Sequence, residues 1–119
     1  MRNKPPTRAQ EKAWLVRITE YGCVITRDKY NVQRHHPLGR EAKQNKLWIG
    51  RWFAYCLHWD LHDIYGEDPC NVTNHKNEFI KTYGKESERF AIMCRDIKAE
   101  DGSLPFDDDV LQAIMDTNA

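Results

Sequence analysis

Apolar and polar positions fall into blocks that predict helices at both ends of the chain and extended segments between them. Pro5-Pro6 marks an extended entry, and Thr7 is the N-cap of a helix from Arg8 to about Tyr21, closed by Gly22. On that helix Ala9, Ala13, Val16 and Glu20 lie on one side, while Trp14, Ile18 and Tyr21 form a second apolar line. Cys23 to Thr26 is a short β-prone run. After a polar turn at Arg27-Asp28-Lys29, Tyr30 to His36 reads as the second strand of a hairpin, closed by Pro37 and Gly39. Arg40 to Lys46 reads as a charged, exposed loop. Leu47 to Tyr55, with Trp48, Ile49, Trp52 and Phe53, suits a half-buried strand or tight connection packed into the core. A helix begins near Cys56, carries His58 and His62, and ends around Tyr65 before Gly66.

The C-terminal third is helical. Thr73 or Asn74 caps a helix from His75 to Tyr83 that stops at Gly84. A further helix spans about Glu86 to Lys98, burying Phe90, Ile92, Met93 and Ile97. The last runs from Asp108 to Met115, with an acidic first turn that suits the positive helix end.

Length and charge sharpen this picture. A chain of 119 residues makes one domain with a modest core. No apolar run is long enough to span a bilayer, and nothing behind Met1-Arg2-Asn3-Lys4 reads as a signal peptide. Four cysteines, Cys23, Cys56, Cys70 and Cys94, are widely spaced, and reduced thiols in a cytoplasmic protein are the simpler reading. The net charge of zero hides an asymmetry. Residues 1–51 carry 12 Lys and Arg against 4 Asp and Glu, and the remainder 6 against 14. Either the two halves attract each other in the fold, or the basic half meets a polyanion.

Four of the five histidines lie between Val32 and His62. His58 and His62, four apart, would project from one helical face and chelate one ion. His35 and His36 are neighbours, so in a strand their rings point to opposite faces, and one can join a metal while the other reaches water or substrate. Arg34, Arg40 and Arg51 are candidates for holding phosphates, since a guanidinium fork matches phosphate oxygens. Asp63 is a candidate acceptor for an imidazole N–H.

The segments Tyr21-Gly22-Cys23-Val24-Ile25, Gln33-Arg34-His35-His36 and Leu57-His58-Trp59-Asp60-Leu61-His62 resemble the HNH, or ββα-metal, nucleases, and among them the phage Ref family of RecA-dependent nucleases. Asn74-His75-Lys76-Asn77-Glu78-Phe79 with Tyr83-Gly84 is similar to that family's tail. The resemblance covers roughly residues 10–85. It implies an α+β fold, a small ββα-metal core at about 21–66 with an N-terminal helix and a C-terminal helical extension at about 74–119. It also implies His36 as general base and His35, His58 and His62 as ligands of a divalent ion (Mg²⁺, Mn²⁺ or Zn²⁺), with His75 as an extra ligand or phosphate contact. Where many relatives carry a Cys-x-x-Cys knuckle, this chain has Cys23-Val24-Ile25-Thr26, and Asn45 is the nearest counterpart of the family's bracing asparagine.

Two functions follow as expectations. The first is a metal-dependent DNA endonuclease of phage or prophage recombination or repair, acting in the cytoplasm of a bacterial host, with a RecA-type recombinase filament as the partner the resemblance implies. The second is a non-catalytic, zinc-stabilised DNA- or protein-binding module in which the histidines, with Cys23 or Cys56, close a structural site.

Overall fold

The structure, a computed structural model, describes residues 4–119; Met1, Arg2 and Asn3, which open the stretch read for a signal peptide, lie outside the described residues. Helix α1, Arg8–Tyr21, starts where the sequence places it. Thr7 Oγ1 accepts the Gln10 N–H, and Gln10 Oε1 accepts the Thr7 N–H at 2.8 Å, so two otherwise unpaired donors satisfy each other. The buried line is Trp14, Ile18 and Tyr21, joined by Glu11, whereas Ala9, Ala13, Val16 and Glu20 face solvent. Two small side chains and a carboxylate offer too little apolar area to hold a face down.

The expected hairpin over Cys23 to His36 does not form. Gly22 turns with φ 89°, and a Cβ there would sit 2.5 Å from the Asp28 carbonyl oxygen. Bonds from Cys23 N–H to Asp28 and from Arg27 N–H to Cys23 curl this segment into a loop. Cys23 keeps one parallel bridge, to Cys56. Strand β1, Val32–His35, pairs antiparallel with β4, Tyr55–His58, instead. Between them β2, Lys43–Gln44, forms inside the stretch expected to be a loop and pairs with β3, Leu47–Trp48, in a second two-stranded sheet. Its turn residues, Asn45 and Lys46, both have positive φ, which the tight hairpin turn requires.

The helix expected from Cys56 begins only at Trp59: α2 is the single turn Trp59–His62. Tyr55, Cys56 and Leu57 are buried on both faces of the sheet, and their ladder with β1 holds them extended. Then come α3, Lys76–Tyr83, capped at His75 rather than at Thr73 or Asn74; α4, Glu86–Asp101; and α5, Asp108–Met115. Five helices and two small antiparallel sheets make this an α+β fold among the described residues. Trp14 stands edge-on to Phe90 and Phe106, and its indole N–H donates to the Trp52 carbonyl at 2.8 Å. Of the apolar run before β4, Ile49, Trp52 and Phe53 are core as its density predicts, while Trp48 is half-buried. No helix among the described residues is long and apolar enough to cross a membrane.

Candidate functional site

The β1–β4 pair sorts the expected site residues. Opposed residues on paired strands share a face, and Gln33 opposes Leu57 while His35 opposes Tyr55. On the other face Val32 opposes His58 and Arg34 opposes Cys56, and His36 follows on that side. His35 and His36 therefore do point to opposite sides.

On the first side His35 and His62 come together, their ring centroids 4.9 Å apart. His35 Nε2 lies 2.6 Å from Glu86 Oε1, and the Tyr55 hydroxyl donates to that same oxygen at 2.6 Å. Lys76 Nζ is 3.5 Å from the other Glu86 oxygen. Burial pushes the Glu86 carboxyl up, but the hydrogen bonds from His35 and Tyr55 outweigh it and leave the pKa lowered. Beside the carboxylate, burial raises the Tyr55 hydroxyl far above its usual range, so it stays a donor. His62 Nδ1 lies 2.5 Å from Gln33 Oε1, and the Gln33 amide donates onward to Asp63 at 3.1 Å. Asp63 thus reaches the imidazole through Gln33. With the proton on Nδ1, His62 Nε2 keeps a lone pair, and burial, then the neighbouring His35, lower the ring's pKa and favour the neutral form.

Of the four side chains that the resemblance implies as ligands of a divalent ion, two stand together here. His35 and His62 are adjacent imidazoles, one of them held neutral with an oriented second nitrogen, and the Glu86 carboxylate stands against them. The full expected set does not gather. His58 faces the other side and ends β4 rather than riding on a helix, so the four-residue spacing with His62 does not place both rings on one helical face. Its Nδ1 accepts the Asp60 N–H and caps α2. His75 is exposed at the start of α3 with no side-chain bond to that helix. Among the described residues no group of three or more His, Cys, Asp or Glu side chains is arranged to hold a metal ion. Cys23 and Cys56 are buried, and Cys56 lies on the face away from His35. Cys23 Sγ accepts the N–H groups of Ile25 and Thr26.

The second side carries a groove of about 760 Å³ between α1 and the start of the β1–β2 connection. His36, Arg34, Arg40 and Arg51 all line it, together with Arg8 and Lys12 from α1. Glu11 is the one acidic side chain in the lining, and Arg40 grips it with two bonds, at 3.0 and 2.8 Å. That grip holds Glu11 below the usual carboxylate range. Arg34 donates to Thr19 Oγ1, and Arg51 pairs with Glu41 at 2.8 Å. Two buried nitrogens in the lining have no hydrogen-bond partner, His36 Nε2 and Arg51 Nε. Burial is the main cause that lowers the His36 pKa, and Arg40, Arg34 and His35 add to it against Glu11. Both effects favour the neutral ring, whose buried Nε2 has no partner and lies beside fixed positive charge.

Four contributors escaped the sequence reading. Arg8 and Lys12 had a signal in their four-residue spacing on one helical face. Glu86 had almost none, since an acid at a helix start is ordinarily solvated, and this one is 1% exposed. Asn71, fully buried, braces the loop between α2 and α3: its amide donates to the Asp60 and Asp63 carbonyls and its oxygen accepts from Thr73 and Asn74. Asn45 instead sits in the β2–β3 turn and donates to Asp116 at 2.8 Å. No family model, curated protein or solved structure matches the chain.

Proposed function

We propose that the protein is a metal-dependent nuclease of the HNH type that hydrolyses DNA phosphodiester bonds, with the groove around His36 receiving the phosphate backbone. One observation carries the reading: a histidine whose buried Nε2 has no hydrogen-bond partner lies in a groove with five cationic side chains and one carboxylate. The groove's ion pairs, Arg40–Glu11 and Arg51–Glu41, are made within the basic half of the chain, so the acidic half does not neutralise it. That favours an external polyanion as the partner of the charge asymmetry.

In this reading Arg34, Arg40 and Arg51 orient phosphate oxygens. His36 accepts the proton of the attacking water, help worth about two to four powers of ten in rate. His35 and His62, with Glu86 against His35, would hold the divalent ion, which when bound supplies positive charge to the phosphoryl oxygens. His35 ends β1 and His36 follows it directly, so the two rings stand on opposite sides of that strand end. A RecA-type recombinase as partner and a bacterial cytoplasm as the place of action rest on the resemblance alone.

The test is plasmid nicking with Mg²⁺, Mn²⁺ or Zn²⁺. Wild type should cleave with at least one ion. His36→Ala should lose about a hundredfold or more while its thermal transition is unchanged, and His62→Ala should bind the ion more weakly. A folded wild type that binds plasmid yet cleaves with none of the three ions would return the protein to the non-catalytic binding class.

A further inference from the structure

A second cleft opens at the start of β1, where Val32 and His58 share the groove's face of the β1–β4 pair. It holds about 430 Å³ and is lined by Asn31, Val32, Gln33, His58 and Trp59. Its composition differs from the groove's: no formally charged side chain lines it, one wall is an indole, and Asn31 and an imidazole supply the polar atoms. Trp59 is 41% exposed and Tyr30, next to Asn31 in the chain, 84%. Neither ring is needed to fill the core, which Trp14, Phe53, Tyr55 and Phe90 occupy. The polar walls are set in place. The Trp59 backbone N–H donates to the Asn31 carbonyl at 2.7 Å, fixing the two sides of the cleft against each other. His58 Nδ1 is taken by the Asp60 N–H, so the neutral ring carries its proton on Nε2 and has a donor to offer. The helix-capping role that removes His58 from the histidine pair around His35 leaves it serving this cleft.

Position decides the ligand class. Val32, in the cleft, and Arg34 and His36, in the groove, alternate along one face of one extended segment, which puts Val32 and His36 ~13 Å apart. At the duplex rise of about 3.4 Å per nucleotide this is roughly four nucleotides, and fewer in an extended strand. A charge-lined track leading to an uncharged aromatic cleft is what single-strand binding uses: cations follow the phosphates, and rings take bases that no complementary strand covers. We propose that the cleft of Asn31, Val32, Gln33, His58 and Trp59 takes an unstacked nucleobase of a single strand whose phosphates occupy the arginine groove. This rests on the reading of the groove as a phosphate site and adds to it a preference for unpaired substrate.

Binding of a fluorescein-labelled twelve-nucleotide oligothymidylate, and of a duplex of equal length, tests the proposal by anisotropy. Wild type should bind the oligothymidylate more tightly than the duplex. Trp59→Ala should weaken oligothymidylate binding about tenfold and leave duplex binding unchanged, while Trp59→Phe, which keeps a ring and guards against a folding artefact, should retain most of the affinity. Arg34→Ala should weaken both ligands. Equal wild-type affinity for the two ligands, or a Trp59→Ala variant that binds oligothymidylate like wild type, overturns the base cleft while leaving the groove intact. No binding of either ligand by wild type overturns the groove reading and the cleft with it.

Discussion

Glu86 is the residue on which the first side of the sheet depends. Three donors from three elements converge on a carboxylate that is 1% exposed. Glu86→Ala should therefore cost about 3 kcal/mol, because it strands the Tyr55 hydroxyl and the His35 imidazole in the interior, and Glu86→Gln should cost less. Urea titration of the two variants checks the order. Glu11 makes a separate prediction about acid. Its folded pKa is lowered, so the stability it contributes is present above the ordinary carboxylate range and is lost as pH falls through the folded value. The stability gap between wild type and Glu11→Gln should be constant near neutrality and shrink below about pH 4. At this scale the sequence was a good guide to residue type and a poor one to grouping. Arg34, Arg40, Arg51 and His36 do share a groove, and His35 meets His62. The four-residue spacing of His58 and His62 misled because it assumes a helix, and a strand ending at His58 turns that ring to the other face.

Elements were legible where local signals agree and illegible where pairing decides. Helix α1 begins at its capping box, α3 stops at Gly84, and α5 runs from Asp108 to Met115 as its apolar face predicts. Strand pairing is a non-local choice. Nothing in Cys23 to Thr26 reveals that β1 prefers Tyr55–His58, a partner buried on both faces, over its neighbour in sequence. The bracing of α2 is equally hidden. A single turn of helix has little stability of its own, and this one is held by Asn71, whose amide bonds the Asp60 and Asp63 carbonyls while its oxygen is anchored by the Thr73 and Asn74 N–H groups. Asn71→Ala should destabilise the protein by about 2–4 kcal/mol. Amide exchange in Asp60 to Thr73 should rise more than in α4 or α5, which hydrogen-exchange mass spectrometry would read.

The whole molecule keeps its charge asymmetry partly for itself and partly for outside use. Arg17 from the basic half holds Glu100 at 2.6 Å and Asp101 at 2.8 Å, and Tyr21 donates to Asp96, so α1 and α4 are joined across the two halves. The groove's cations take no part in that exchange. If all five engage a single strand, affinity should fall with salt at a log–log slope of about −3.5, and Arg40→Ala should flatten it by about 0.7. Titration between low and physiological salt checks both values. The same packing that buries Cys23, Cys56 and Cys94 leaves Cys70 half-exposed beside Thr82, and no disulfide joins any of them. Burial also pushes the Cys56 and Cys94 thiols up, away from the reactive thiolate. Folding is therefore written into the protein's own sulfur chemistry. A colorimetric thiol reagent should consume one equivalent at once, and the other three should follow only at the pace at which the interior opens.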